Sequence, residues 1–320
     1  DYESQGKPLI AWDDQVAKET LVDGLVNDAL ALLAAFGDEV EEVEAGSALG
    51  LLALVAGQDV EQGDDGTWKI SRKVASDRVI STVDPEARHM HKSRSEYRDG
   101  YKTHIAIEPE TGLVTAAALT PANAPDGQTG TTLLEGEDPG LQVLDDGAYG
   151  SGENLAALAA AGHDRAIKPY STNTAVAGGF HRDDFMVDHE VGTVTCPAKH
   201  TVLISPKRHA TFGTLCRGRP LRSRCTKSTG GRVLHFTPHD AMLVESRRAW
   251  RDGDFAEDYR RWRPMVERTI AWLVADNHRR VRFRGVEKNG LGLSLRIAAI
   301  NLRRLVNLGL THDGEWALEA

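Results

Sequence analysis

The sequence predicts a mixed α/β protein that begins with a helical segment and carries an inserted subdomain. Three observations support this fold class. Short β-type and helical runs alternate between residues 67 and 170. The periodicity then breaks between residues 171 and 245, where all three cysteines lie. Long helical patterns return after that break. A chain of 320 residues is long enough for one large domain or two modest ones.

The first 170 residues are expected to form a helical segment followed by the first part of the α/β core. In residues 13–36, apolar side chains recur at three- and four-residue spacing, which is typical of a helix. We therefore assign residues 1–66 to the helical segment and 67–170 to the core. The expected elements are a helix at 48–56, a loop at 58–66, β-type runs at 67–74 and 78–83, a hairpin of strands 101–107 and 113–119, a helix at 126–134, a strand at 141–144, a helix at 153–161 and a strand at 166–168.

The second half is expected to hold the insert and the last helices of the core. Residues 171–245 form the predicted Cys- and Arg-rich subdomain, and residues 246–320 the C-terminal helices. One long helix is predicted at 254–277 and another at 291–308, with a basic run, 278–285, between them.

Charge divides the chain into two halves. Residues 1–150 have a net charge of −18 and residues 151–320 one of +9. This asymmetry indicates a basic surface on the second half, either a solvated face or a site for nucleic acid. No apolar run approaches the ~18 residues of a membrane span, so no membrane association is expected. Three cysteines exclude a disulfide scaffold and favour a reducing compartment, such as the cytoplasm.

Three carboxylates are candidates for chemistry. Asp146 follows a short apolar strand, where open α/β sheets bind ligands, although it is also suited to a turn or a helix cap. Glu267 lies beside the apolar stripe of the predicted helix, with an ion pair to Arg263 as the alternative role. Asp84 precedes a proline and also fits an ordinary turn. Brought together, such carboxylates can hold two Mg²⁺ ions about 3.5–4 Å apart.

Several motifs resemble the DDE transposases of bacterial insertion sequences. Residues 144–151 resemble the Asp-x-x-Tyr motif around the family's second acid, and residues 259–267 its Tyr-Arg-Glu-Lys motif around the third. Residues 84–88, 99–102, the hairpin and residues 301–305 also look like that family. The resemblance covers about residues 70–310. It implies a fold with a ribonuclease H-like mixed sheet flanked by helices. It also implies that the protein cuts and joins double-stranded DNA with Mg²⁺ or Mn²⁺, works near the bacterial nucleoid and forms a homodimer on DNA.

The chain departs from the family's pattern in three places. Three residues rather than two separate Tyr259 from Arg263. Val274 stands where the family has its lysine, so Arg279, Arg280 or Lys288 would take over its contact with phosphate. The first acid usually lies in a Val-Asp-[Gly/Ser]-Thr strand, which is missing from residues 1–83. Asp84 is the available substitute, and the alternative expectation is that the chain is truncated and its first acid lies upstream.

A second candidate site contains the cysteines. Cys196, His200, Cys216 and Cys225 have ligand types that suit a tetrahedral structural zinc ion. The alternative is three free thiols in the core of the subdomain.

Arg263 in the Glu267 helix and the basic side chains after that helix are expected to bind the DNA backbone. They are Arg263, Arg279, Arg280, Arg282, Arg284 and Lys288. Three hypotheses follow for the whole chain: a transposase, a ribonuclease H-like nuclease without strand transfer, and a DNA-binding remnant that does not cut.

Overall fold

A computed structural model describes residues 6–37, 43–91, 95–170, 172 and 174–318. The chain divides into two compact units. The first comprises residues 1–103, 119–124 and 276–298, and the second residues 104–118, 125–275 and 299–320. The elements in chain order are α1 (Gln15–Phe36), α2 (Val43–Gly57), β1 (Val60–Gln62), β2 (Trp68–Ile70), β3 (Arg88–His91), β4 (Tyr97–Ile107), β5 (Val114–Pro121), α3 (Asp126–Thr132), β6 (Gln142–Asp145), α4 (Gly152–Ala160), β7 (Asp164–Ile167), β8 (Met186–Asp188), β9 (Thr193–Thr195), β10 (Thr201–Leu203), β11 (His209–Thr211), α5 (Arg222–Cys225), β12 (Val233–His235), α6 (Asp240–Asp252), α7 (Ala256–Val274), α8 (Val286–Asn307), β13 (Leu310–Asp313) and β14 (Glu315–Leu318).

The first unit contains the helical segment predicted from periodicity. Helix α1 begins after Asp14, whose side chain caps it by accepting a hydrogen bond from the amide of Val16 at 2.8 Å. The loop expected at 58–66 is wrong in part, because β1 pairs with β2 in an antiparallel hairpin. The polar residues with Gly63 and Gly66 form the turn of that hairpin.

The three-stranded sheet has the order β3-β4-β5, and β4 and β5 are the predicted hairpin. The strand expected at 78–83 is wrong. Val79 is buried, at 7% exposure, but its backbone groups form hydrogen bonds with a side chain rather than with another strand. Its amide donates to Gln58 Oε1 at 2.9 Å and its carbonyl accepts from Gln58 Nε2 at 3.0 Å. With both backbone groups satisfied in this way, the segment needs no strand partner. The strand beside β4 is instead Arg88–His91.

In the second unit, β6 and β7 pair in parallel, with α4 as the connection between them. Leu155 and Leu158 of α4 and Ile167 of β7 are at most 2% exposed and form a core with side chains of α6. Helix α6 was not predicted, because its first residues lie in the segment expected to be an insert without helical period.

The cysteine region folds around its own apolar core. Strands β8, β9 and β10 form one antiparallel sheet, and β11 pairs with β12. Val194 and Ala210 are fully buried between these strands, with Phe185 and Phe212 beside them. Among the described residues, these five strands pair only with one another.

Helix α7 corresponds to the helix expected at 254–277 but is shorter at both ends. Its fully buried position is Thr269, whose hydroxyl donates to the carbonyl of Met265 at 3.1 Å. Leu273 is also buried, whereas Ile270 is 40% exposed.

The mixed α/β class is confirmed, but the strands lie in several small sheets rather than one. The ribonuclease H-like arrangement therefore remains a prediction. No helix in the described part of the chain is long and apolar enough to cross a membrane.

Candidate active site

Asp146 lies directly after β6, at the carboxyl end of the parallel pair. It caps a single turn of 3₁₀ helix, Gly147–Tyr149, by accepting a hydrogen bond from the amide of Ala148 at 2.9 Å. The capping role considered from the sequence is thus present. The other carboxylate oxygen, Oδ2, contacts Arg263, and 38% of the side chain is exposed. The carboxylate is therefore partly accessible, with each oxygen already in contact with a donor.

Glu267 is brought close to Asp146 by a shared arginine. Arg263 Nη2 lies 2.9 Å from Asp146 Oδ2, and Arg263 Nε lies 3.5 Å from Glu267 Oε1. Because both nitrogens belong to one planar guanidinium group, the two carboxylates lie within about 10 Å of each other. The ion pair considered as Glu267's alternative role is present too. It extends to Asp146 and so joins helix α7 to the end of β6.

The donor chemistry around Arg263 fits a divalent cation of the magnesium type. Asp146 and Glu267 offer hard carboxylate oxygens, which Mg²⁺ and Mn²⁺ accept while keeping positions for water and phosphate. The Arg263 guanidinium, however, lies between them and neutralises the same charges. A cation bound to both acids would have to replace at least one of these contacts. In the described part of the chain, no group of three or more His, Cys, Asp or Glu side chains is arranged to hold a metal ion.

Asp145 stands beside this pair as a partly buried carboxyl group. Burial raises its pKa to about 7, and the charges of Asp146 and Asp126 add to the rise, although the amide of Asp146 and the charge of Arg263 oppose it. The amide of Asp146 donates to its Oδ1 at 2.8 Å.

A cleft of about 850 Å³ opens beside Asp146 and Glu267. Lys168 projects into it from just after β7, with Nζ 5.3 Å from the ring centre of Trp250 and 5.8 Å from that of Tyr259. Tyr170, 66% exposed, lines the same cleft. Basic and aromatic side chains next to acids are suited to a polyanion with stacked rings, such as a DNA strand.

Asp84 lies in the first unit and is already bonded there. Its Oδ1 accepts from the Tyr101 hydroxyl at 2.6 Å and from the amide of Gly285 at 3.1 Å. Its carbonyl accepts from the amide of Ala87 at 3.1 Å, so the turn considered from the sequence is present. The Asp84 carboxylate therefore holds the segment before α8 against β4.

The predicted DNA-binding side chains, apart from Arg263, also lie in the first unit. They occupy the segment between α7 and α8 and the first turn of α8, and all are exposed. They are Arg279, Arg280, Arg282, Arg284 and Lys288. Phe283 is 53% exposed among them. Asn289 organises the segment, because its Nδ2 donates to the carbonyls of Phe283 at 2.7 Å and Gly285 at 2.8 Å. The arginines are thus presented to solvent on an ordered loop.

The four predicted zinc ligands surround one small cavity of about 30 Å³ in the cysteine region. They are Cys196, His200, Cys216 and Cys225. All three thiols are free and half-buried. Burial raises the pKa of Cys225, and the nearby Cys216 and Cys196 raise it further, whereas Arg232 lowers it. The structure thus brings the three thiols to one cavity, although no group of three or more His, Cys, Asp or Glu side chains among the described residues is arranged to hold a metal ion.

Some residues of the site were missed from the sequence. Lys168 follows the strand parallel to β6, so the rule that ligands bind at the carboxyl ends of parallel strands could have found it. Asp145 was visible as the first acid of a tandem pair at the same strand end. Trp250 lies on the helix that was not predicted, so no sequence pattern pointed to it.

Comparison with known families identifies part of the chain. Residues 195–306 match the family model described as a transposase DDE domain. This segment includes Glu267, the cysteines and the basic run, whereas Asp146 and Asp84 lie outside it. The recognition of a DDE transposase from sequence motifs is confirmed by this match for residues 195–306. Neither the curated proteins nor the solved structures gave a match to the chain.

Proposed function

With residues 195–306 matching a transposase DDE domain, we propose that this protein is the transposase of a bacterial insertion sequence. It cleaves DNA strands and transfers their ends to a new site. The observation that carries the proposal is the pair of contacts from Arg263 to Asp146 and Glu267, which joins an acid of the matched segment to an acid 121 positions earlier in the chain. A metal-dependent phosphoryl transfer needs such a pair of carboxylates.

In this proposal Asp146 and Glu267 hold Mg²⁺ or Mn²⁺. The ions, when bound, supply charge neutralisation at the scissile phosphate and lower the pKa of the attacking hydroxyl or water. Arg263 balances the two carboxylates, and on release its guanidinium is free to donate two parallel hydrogen bonds to two oxygens of a phosphate. Lys168 and Tyr170 hold the DNA strand in the cleft. Asp84 stays the candidate for a third carboxylate, in which case its bonds to Tyr101 and Gly285 must be exchanged.

DNA is the proposed partner along the basic run as well. Exposed arginines on an ordered loop contact phosphates without regard to sequence and so position the duplex. We further propose one structural zinc ion at Cys196, His200, Cys216 and Cys225, which would draw the three thiols and the imidazole into tetrahedral geometry. Activity on transposon ends also calls for a homodimer on the DNA. Such a protein works at the bacterial nucleoid, in the cytoplasm.

The decisive experiment uses end-labelled duplexes taken from the DNA that flanks the gene. The purified chain is incubated with these duplexes and a supercoiled target plasmid, with Mg²⁺, Mn²⁺ or EDTA. A transposase cleaves the duplex and joins its 3′ end to the plasmid, in a reaction that EDTA stops. Cleavage without joining would identify a nuclease. Binding without cleavage in either metal would contradict the proposed enzyme and favour a DNA-binding remnant.

A further inference from the structure

The second unit contains a slot between two strands that do not pair with each other. The last residues of β4, Ile105–Ile107, and the residues of β6 line the same cavity of about 460 Å³. β4 pairs with β5 along one edge, and β3 reaches only as far as Gly100 on the other. β6 pairs with β7 along one edge only. Within the described residues, both strand edges that face the slot lack a strand partner.

The backbone groups at these edges alternate in a defined way. The amide of Glu108 donates to the carbonyl of Leu113, so every second residue of β4 points toward β5 and the peptide groups of Ile105 and Ile107 point the other way. On β6, the carbonyl of Asp145 accepts from the amide of Lys168 in the register of β7. Gln142 and Leu144 therefore direct their peptide groups into the slot. Ile105, Ile107 and Leu144 are partly buried and Gln142 is exposed. Peptide groups that are partly buried call for hydrogen-bond partners.

Apolar side chains from helical parts of the chain also line the slot. They are Trp262, Met265 and Val266 of α7, together with Leu133 and Leu134 directly after α3. A strand that entered the slot would bury its side chains against them. Buried strands carry near-continuous apolar runs rather than alternating polar and apolar residues.

The two ends of the slot differ in charge. At one end, His104 at 1% exposure forms a hydrogen bond of 2.7 Å between its Nδ1 and the Tyr149 hydroxyl, which fixes the middle of β4 beside the end of β6. At the opposite end lie three carboxylates, those of Glu108, Glu110 and Glu137. An occupant would therefore place a basic residue at this acidic end.

We propose that the slot binds an extended polypeptide strand, an apolar run flanked by lysine or arginine at the end beside Glu108, Glu110 and Glu137. The strand pairs with β4 on one side and with β6 on the other, so that its backbone joins the two small sheets. Strand addition of this type takes affinity from main-chain hydrogen bonds and specificity from the pockets on either face. The proposal rests on this slot alone and is independent of the transposase function.

The test uses two synthetic peptides with blocked ends and the same core, Val-Ile-Val-Ile-Val. One carries two lysines at its amino end and the other carries them at its carboxyl end, because the slot does not dictate strand direction. Binding to the whole chain is measured by fluorescence anisotropy. One peptide should bind better, and a single N-methyl group on its central valine should weaken binding at least about tenfold by removing a hydrogen bond.

A charge reversal and amide exchange make the test specific to the slot. Glu137→Lys should weaken binding about fivefold, whereas Glu135→Lys, which is exposed nearby but does not line the slot, should leave it unchanged. Hydrogen exchange of the amides of Ile105, Ile107, Gln142 and Leu144 should slow on binding, while that of Ala106 and Val143 should not change.

Four results would overturn the proposal. The first two are that neither peptide binds, and that the bound peptide binds equally well with the N-methyl group. The other two are that a small apolar dye competes for the slot as well as the peptide does, and that dimerisation of the chain slows exchange of the slot amides when no peptide is present. The dye would show a site for small apolar ligands. The dimer would show that a second copy of this chain covers the two edges.

Discussion

Arg263 joins Asp146 across 117 positions of sequence, with 2.9 Å between Nη2 and Oδ2. One residue on a helix thus fixes the end of a strand that lies far away in the chain. Glu267, one turn further along α7, contacts the same guanidinium at 3.5 Å. The register of α7 on β6 therefore decides which acids meet, and a rotation of the helix by one residue would separate them.

Removal of either carboxylate should abolish catalysis. Asp146→Asn and Glu267→Gln each keep the shape of the side chain but remove the charge that holds a divalent cation. We expect strand cleavage to fall at least about 100-fold in each variant. The matched control is Glu257→Gln, an exposed acid in the first turn of α7. Full activity of the Asp146 or Glu267 variant would contradict their assignment, and equal loss in the control would point to damage of the helix instead.

Replacement of Arg263 should lower the stability of the fold but strengthen the binding of a divalent cation. In Arg263→Ala the ion pair to Asp146 is lost, which should lower the free energy of unfolding by about 1 kcal/mol because the pair is partly exposed. The same change frees both carboxylates, so Mn²⁺ should bind more tightly in isothermal titration. Arg263→Lys, which keeps the charge, should have the smaller effect on Mn²⁺. Weaker Mn²⁺ binding in Arg263→Ala would show that the arginine supports the metal site rather than competing with it.

The elements around the site were predicted where local pattern suffices. The strand before Asp146, the helix after it and the helix of Glu267 have clear apolar periods, and each is found within a few residues of its predicted bounds. The meeting of Asp146 with Glu267 could only be expected from the resemblance to a family, because no local pattern fixes how a helix lies on a distant strand.

The errors arise where a non-local partner decides the structure. Residues 78–83 have β propensity, but the Gln58 side chain takes both backbone groups of Val79 and leaves the segment as a loop. Arg88–His91 has little apolar character, yet it becomes a strand because Tyr97–Gly100 pairs with it. Helix α6 was missed because its first residues lie in the segment that was expected to be an insert without helical period. Arg182 and Arg247 tie it to the cysteine region by ion pairs with Asp240 and Asp183, at 2.6 and 2.8 Å.

Asp145 should make the protein less stable as the pH rises. Its pKa is raised from 3.8 to about 7 in the folded state, so between these values the folded chain binds more protons than the unfolded chain. The free energy of unfolding should therefore fall from about pH 4 to about pH 7 and change little above that. Asp145→Asn keeps an oxygen for the amide of Asp146 and should flatten this dependence in urea titrations. Asp164→Asn, an exposed change on β7, should not. An unchanged slope in Asp145→Asn would exclude Asp145 as its source.

The proposed zinc site should be visible by elemental analysis. Protein purified without chelator should contain about one zinc ion per chain, because three thiols and an imidazole surround one cavity. Cys216→Ser should lose the metal and lower the melting temperature, since the site lies against the core formed by Phe185 and Phe212. Ser228→Ala, in the loop after α5, is the control and should keep the metal. Wild-type protein with no zinc, and with three thiols that titrate freely, would establish the alternative of free cysteines.

The exposed arginines after α7 should contribute to DNA affinity through phosphate contacts alone. In Arg279→Gln/Arg280→Gln, two charges are removed from an ordered, exposed loop, so binding to any duplex should weaken to a similar degree. The slope of log K against log salt should become shallower by about 1.8, since each phosphate contact contributes about 0.9. The matched control removes two exposed charges elsewhere in the same unit, in Arg72→Gln/Lys73→Gln. That variant has the same net charge, so a general electrostatic effect would change both slopes equally. A slope that changes only in the Arg279/Arg280 variant would place the DNA backbone along this loop, whereas an unchanged slope would remove the loop from the DNA-binding surface.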